Sequence, residues 1–277
     1  MFRRPQRIII PQYSAPKYLS LLAAAEILGD GRRAVAAQIV GLAVGRAMAI
    51  TPLDSARGKK TGFTLTLKSL EGLSRDELDT MRALFPRGVV GETIDIRPGR
   101  NAALGRRLRT PRDLAATRLV ASDLARERRF FERLSARDEQ PVVPLPAAFP
   151  LIDHLWGVYD YIALAEKDRL AFLQSPAGAE LRPDVSLNVQ ALVLNEKLLP
   201  YAVLFGLEKQ WIRELGVQVE SLSSDQLDDL SDLGDVLVLL TAVDVESLFL
   251  LADLAGVIVG AGRVAGGVLL FFFRLFT

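Results

Sequence analysis

Apolar side chains recur at helical spacing over residues 18–28, where Tyr18, Leu21, Leu22, Ala25 and Leu28 fall three or four positions apart. Gly29-Asp30-Gly31 ends that run, and Val35, Ile39, Leu42 and Ala43 mark a second helix over 33–44. The period then shortens to two. Residues 47–50 read as one strand, and Phe63-Thr64-Leu65-Thr66-Leu67 alternates as a second, half-buried one. A polar, glycine-containing stretch joins them, with Arg57-Gly58-Lys59-Lys60 at its tip. Ser74 stands three residues before Glu77, the spacing of a capping box, and predicts a helix over 75–85 with Leu78, Met81, Leu84 and Phe85 inward. Residues 92–96 predict an edge strand. Thr110-Pro111-Arg112 reads as the start of a helix reaching about residue 134, with Leu114, Leu119 and Leu124 facing the core.

Helix, helix, strand, basic loop, strand is the outline of a winged helix. The pattern therefore predicts an α+β protein, mainly α with a small β component, in which a winged-helix-like N-terminal module precedes a helical domain. The implied divisions are a basic domain over 1–134, a proline-rich linker over 135–150, an acidic helical domain over 151–235 and an apolar helical tail over 236–277. In the third division Leu155, Val158, Tyr159, Ile162 and Ala165 form one stripe. A further helix or pair spans 187–216, and Pro200, which lacks a backbone donor, belongs there at a kink or first turn. In the tail, residues 254–273 have the length of a membrane span but place Arg263 at the centre, at a cost of about 3 kcal/mol. The tail thus reads first as a buried or membrane-edge helical hairpin.

Charge sharpens this division. The net charge of +1 conceals +11 over residues 1–150 and −10 over 151–277. The basic run 97–112 suits anionic lipid headgroups, RNA phosphates or, equally, docking on the acidic second domain. Cysteine is absent, which excludes disulfides, thiolate catalysis, iron–sulfur clusters and cysteine-ligated zinc, and fits a reducing compartment. The run after the basic residues 1–7 is too short for the core of a signal peptide.

Candidate chemistry is sparse. The single histidine, His154, adjoins Asp153, but neighbouring helix residues do not face each other, so a surface histidine is the preferred reading. Glu166 and Asp168, and Asp228, Asp229 and Asp232, carry magnesium-type oxygens with no loop or partner histidine to organise them. Gly260-Ala261-Gly262-Arg263-Val264-Ala265-Gly266 misses the dinucleotide-loop spacing by one position, and too little chain follows for the acidic ribose contact. No catalytic, metal or cofactor residue is assigned. Arg57, Lys59 and Lys60 suit phosphate, as do Arg106, Arg107 and Arg109 within the basic run 97–112. The helix that would read bases, 33–44, offers few polar side chains for that task.

Two segments resemble a known family. Residues 154–170, His-Leu-Trp-Gly-Val-Tyr-Asp-Tyr-Ile-Ala-Leu-Ala-Glu-Lys-Asp-Arg-Leu, resemble the G-x-x-x-Y-I-x-x-A-E-x-D-R-L segment of DUF2207, a family of predicted bacterial membrane proteins. Residues 198–211, beginning Leu-Leu-Pro-Tyr-Ala, are similar to its LPYA…G-x-E…W segment. The likeness extends over about 10–220 in actinobacterial form. Members commonly place a pair of membrane helices between their two cytoplasmic regions, where this chain has only the proline-rich linker 135–150. In physical terms both segments read as helix packing, with Gly157 allowing close approach, and Tyr161, Phe172, Tyr201, Phe205 and Trp211 supplying bulk. Glu166 and Arg169 are spaced to pair, and Glu208 with Arg213 to anchor a helix end.

The resemblance implies a membrane-associated protein with this part on the cytoplasmic face. The leading expectation is a non-enzymatic module making protein–protein or membrane-surface contacts, with a protein or an anionic membrane as partner and no cofactor. The second is a winged-helix regulator that binds nucleic acid.

Overall fold

The computed structural model describes residues 10–12, 14–54, 60–97, 102–129, 141–163, 197–208 and 211. The first helix, α1 (Leu21–Leu28), starts where Ser20 Oγ accepts the Ala23 N–H at 3.1 Å and stops at Gly29, whose φ of 72° suits a glycine. This cap sets the helix start later than the apolar spacing suggests and leaves Tyr18 in a preceding turn, 97% exposed instead of inward. Seven of the eight residues of α1 are buried. The second helix, α2 (Gly31–Val44), is buried almost all round, from Ala34 through Val40 and at Leu42 and Ala43. Helices with no polar face belong inside a core, and these two form its centre.

A three-stranded antiparallel sheet of order β1-β2-β3 covers them: β1 (Met48–Asp54), β2 (Lys60–Leu67) and β3 (Thr93–Ile96). Its register pairs Met48 with Leu67, Ile50 with Leu65 and Phe63 with Ile96. The alternation read from the sequence is realised, with Phe63, Leu65 and Leu67 buried and Thr64 turned outward to Asp95 Oδ1 at 2.8 Å. Between β2 and β3 lies α3 (Arg75–Leu84), opened by the expected capping box: Ser74 N–H donates to Glu77 Oε2 at 2.7 Å, and Ser74 Oγ accepts the Glu77 N–H. Ser74→Ala removes half of that box and is expected to lower stability by about 1 kcal/mol, read as a fall in the thermal midpoint.

The next helix, α4 (Ala102–Ala121), begins well before Thr110 and carries Pro111 in its interior. Its buried stripe runs Leu104, Leu108, Ala115 and Leu119, so Leu114 faces away and is 38% exposed. It ends at Ser122-Asp123, with Asp123 at φ 54°, and the chain turns into β4 (Ala125–Glu127) rather than continuing as helix. Part of the expected linker is regular: β5 (Val142–Pro144) pairs antiparallel with β4, and a short 3-10 turn over Pro146–Ala148 leads into α5 (Phe149–Ala163). A last helical stretch, 197–205, packs beside them. Together these elements make an α+β protein in which an α/β module is followed by a mostly helical region. One apolar core runs from Leu19 to Trp211 and includes residues of both parts.

The membrane-associated reading is corrected at this level. Among the described residues no helix is long and apolar enough to cross a membrane. The one helix of sufficient length, α4, carries five arginines, Arg106, Arg107, Arg109, Arg112 and Arg118. The apolar stretch 236–277, like the dinucleotide-like glycines and the acidic residues Asp228, Asp229 and Asp232, lies outside the described residues.

Candidate functional site

A cleft of about 670 Å³ opens where α1, α2, α3, α4 and the 197–205 helix approach one another. Leu19, Leu21, Ala23, Val44, Leu119 and Pro200 supply apolar lining. Capping determines much of what else reaches it, because the N-terminal turns of α1 and α3 both end at the cleft with their caps, Ser20 and Ser74. The Asp76 carboxylate, in the first turn of α3, accepts from Ser20 Oγ and from Arg118, which also grips Asp79. Burial works against the Arg118 charge. The hydrogen bond to Asp79 and the charges of Asp76 and Asp79 outweigh it, holding the guanidinium above its ordinary pKa. This network ties α1, α3 and α4 together at the cleft wall.

Tyr201 lines the same cleft, yet its side chain is 6% exposed and its phenol is pushed far above the ordinary value, first by burial and then by the Glu77 carboxylate. A phenol so disfavoured as an anion is a packing group with a polar tip rather than a base. Pro200, also at the cleft, packs near Gly41 of α2. Further along the chain Glu208, 3% exposed, meets Arg33 Nη1 at 2.9 Å, while Arg213 lies outside the described residues. The same guanidinium donates to the Val203 carbonyl at 3.2 Å. Gly206 makes room for it: its φ is 76°, and a β-carbon there would sit 3.2 Å from Arg33 Cζ and Nη2. Trp211 and Tyr161, both fully buried, meet edge to face with centroids 6.4 Å apart.

Thus the structure brings Tyr161, Pro200, Tyr201, Glu208 and Trp211 into one packed region that joins α5 and the 197–211 stretch to α1 and α2. The basic residues are not part of it. Arg106, Arg107 and Arg109 are exposed along α4 and do not line the cleft. Lys60 opens β2, while Arg57, Lys59, Glu166 and Arg169 lie outside the described residues. The cleft residues Lys17, Gln38, Arg75, Asp76, Arg118 and Lys197 were not marked by any sequence motif. The nearest signal was the capping box, which placed Asp76 and Glu77 in a helix's first turn.

His154 Nε2 sits 2.6 Å from the Ser14 carbonyl, so the imidazole fastens the arm before α1 to α5. Among the described residues no group of three or more histidine, aspartate or glutamate side chains could hold a metal ion. A deeply buried charged pair, Glu26 with Arg112 Nε and Nη2 at 3.0 and 2.8 Å, joins α1 to α4 in the interior. Glu26 is 1% exposed, and burial raises its pKa despite the opposing pull of Arg112.

No family model, curated protein or solved structure matches the chain. The resemblance to DUF2207 thus has no matching family model beside it, and the membrane character it implied is corrected by the helices of the described residues. The described residues of those segments are helix-packing groups, a type of sequence that helices of many origins share.

Proposed function

We propose that the protein is a non-enzymatic interaction module whose partner is another protein, held at the cleft. The observation that carries this is Tyr18, an aromatic residue left 97% exposed at the rim of a cleft with an apolar lining. Tyrosine buries a large, stiff, amphipathic surface at little conformational cost, which is why protein interfaces are enriched in it. The motif residues support the same reading, since Tyr161, Tyr201, Glu208 and Trp211 are spent on internal packing that keeps the cleft walls in place. The nucleic-acid alternative draws less support. The helix that would enter a groove is α2, and most of its described side chains are buried in the core or, at Arg33, bound to Glu208.

A photoreactive phenylalanine derivative at position 18 tests this in producing cells. Discrete adducts with protein, unchanged by nuclease treatment and missing when the probe sits at Val89 instead, are the expected result. Val89 is a suitable control because it is 59% exposed and does not line the cleft. Adducts that nuclease removes, or equal labelling at both positions, contradict the proposal.

A further inference from the structure

We infer that the occupant of the cleft is an acidic peptide segment of the partner protein, with apolar side chains between its carboxylates. This rests on the protein-contact reading and specifies its chemistry. The negative groups at the cleft are already engaged: Asp76 by Ser20 and Arg118, Glu77 by the Ser74 N–H. The cations at its rim are not. Lys17, Arg75 and Lys197 are exposed, line the cleft, and have no ion-pair partner among the described residues. The N-terminal turns of α1 and α3 add the positive ends of their dipoles to that rim. The ends of α2 and α4 that also reach the cleft contribute little opposing charge, because the Gly41, Arg118 and Leu119 carbonyls accept internal hydrogen bonds.

A second, independent feature points to a ligand with a hydrogen-bond donor. Gln38 is 1% exposed, lines the cleft, and its Oε1 has no hydrogen-bond partner. A buried amide oxygen left without a donor is costly, and a bound backbone N–H would satisfy it. The three cations come from three separate elements, ahead of α1, at the start of α3 and at 197. That separation suits several carboxylates spread along a chain better than one compact anion, and the apolar lining suits the side chains between them.

The experiment selects a random peptide library on the immobilised full chain at an ionic strength on the order of 0.1 M. Enriched peptides are then synthesised and their affinities measured by fluorescence anisotropy. Enrichment of sequences combining several aspartates or glutamates with large apolar residues is expected. Their binding should weaken about tenfold or more in K17E/R75E/K197E, whose three sites are exposed and leave the melting profile unchanged, and several-fold in Gln38→Leu. Peptides without acidic bias, or equal binding to the charge-reversed variant, overturn the inference. So do carbodiimide cross-links from Lys17 or Lys197 to carboxylates of residues 220–235 within one chain, which make the protein its own occupant. If these results fail while the position-18 adducts persist, acidic recognition is wrong and the protein-contact reading stands; loss of the adducts as well removes both.

Discussion

Arg112→Ala is expected to lower the unfolding free energy by about 3–5 kcal/mol at neutral pH, because it takes the bidentate guanidinium away from the buried Glu26 carboxylate. Arg112 is the larger and more exposed partner, with 20% of its side chain accessible against 1% for Glu26, so the damage comes from the residue that remains. Its dependence on pH identifies the cause. Burial already raises Glu26 above 4.5, so the folded carboxyl holds its proton more tightly than the unfolded one. For such a group the contribution to stability is greatest below the unfolded pKa and declines as pH rises through the folded value. Removing the guanidinium raises that value further and lets the variant escape part of the penalty by protonation. The deficit relative to the parent protein is therefore larger at about pH 7 than at about pH 5, as urea unfolding at the two pH values will show. An equal deficit at both rejects this account. Gly31→Ala supplies a variant that keeps both charges but displaces the guanidinium, since a β-carbon there would overlap Arg112 Nη2. It should reproduce part of the loss, whereas replacing both partners with apolar residues of similar volume should restore most of it.

Trp211→Ala is expected to cost about 3–5 kcal/mol, the range for emptying a buried indole site. Trp211 is 1% exposed and its ring meets Tyr161 at an interplanar angle of 62°. Because the core is continuous from α1 to this residue, the loss should appear in the global unfolding transition, followed through the circular dichroism of the whole chain. Trp211→Phe keeps an aromatic ring and should lose markedly less. If Trp211→Ala unfolds at the same denaturant concentration as the parent, the 197–211 stretch is not an integral part of the core.

What could be read locally from the chain was read well. The capping box at Ser74 and Glu77, the alternation over 63–67 and the stop at Gly29 each depend on residues within a few positions of one another. Errors arose where a local signal had two readings. Pro111 looks like a first-turn residue, and it occupies the interior of α4 instead, which displaced the helix start and turned Leu114 outward. The end of α4 was missed because the left-handed turn is made by Asp123 and not by a glycine. The three-residue strands β4 and β5 are too short for a period to show.

The cleft was hidden for a different reason. Its polar residues are drawn together from positions 17 to 201, and the contacts that organise it join residues 39 to 56 positions apart, such as Arg118 with Asp79 and Ser20 with Asp76. Glu26 shows the same effect: within Ala-Ala-Ala-Glu-Ile-Leu it is an ordinary polar interruption, and its burial makes sense once Arg112 arrives from α4.

The β4–β5 ladder has a practical consequence. Arg128 N–H donates to the Pro141 carbonyl at 3.0 Å, so residues 128 and 141 are held side by side. A reporter protein or affinity tag spliced in between would begin and end at ends already clasped together. Doubling the length of such an insert would add only about 0.6 kcal/mol of closure entropy. That makes the 130–140 interval the natural place to attach a probe without disturbing either terminus.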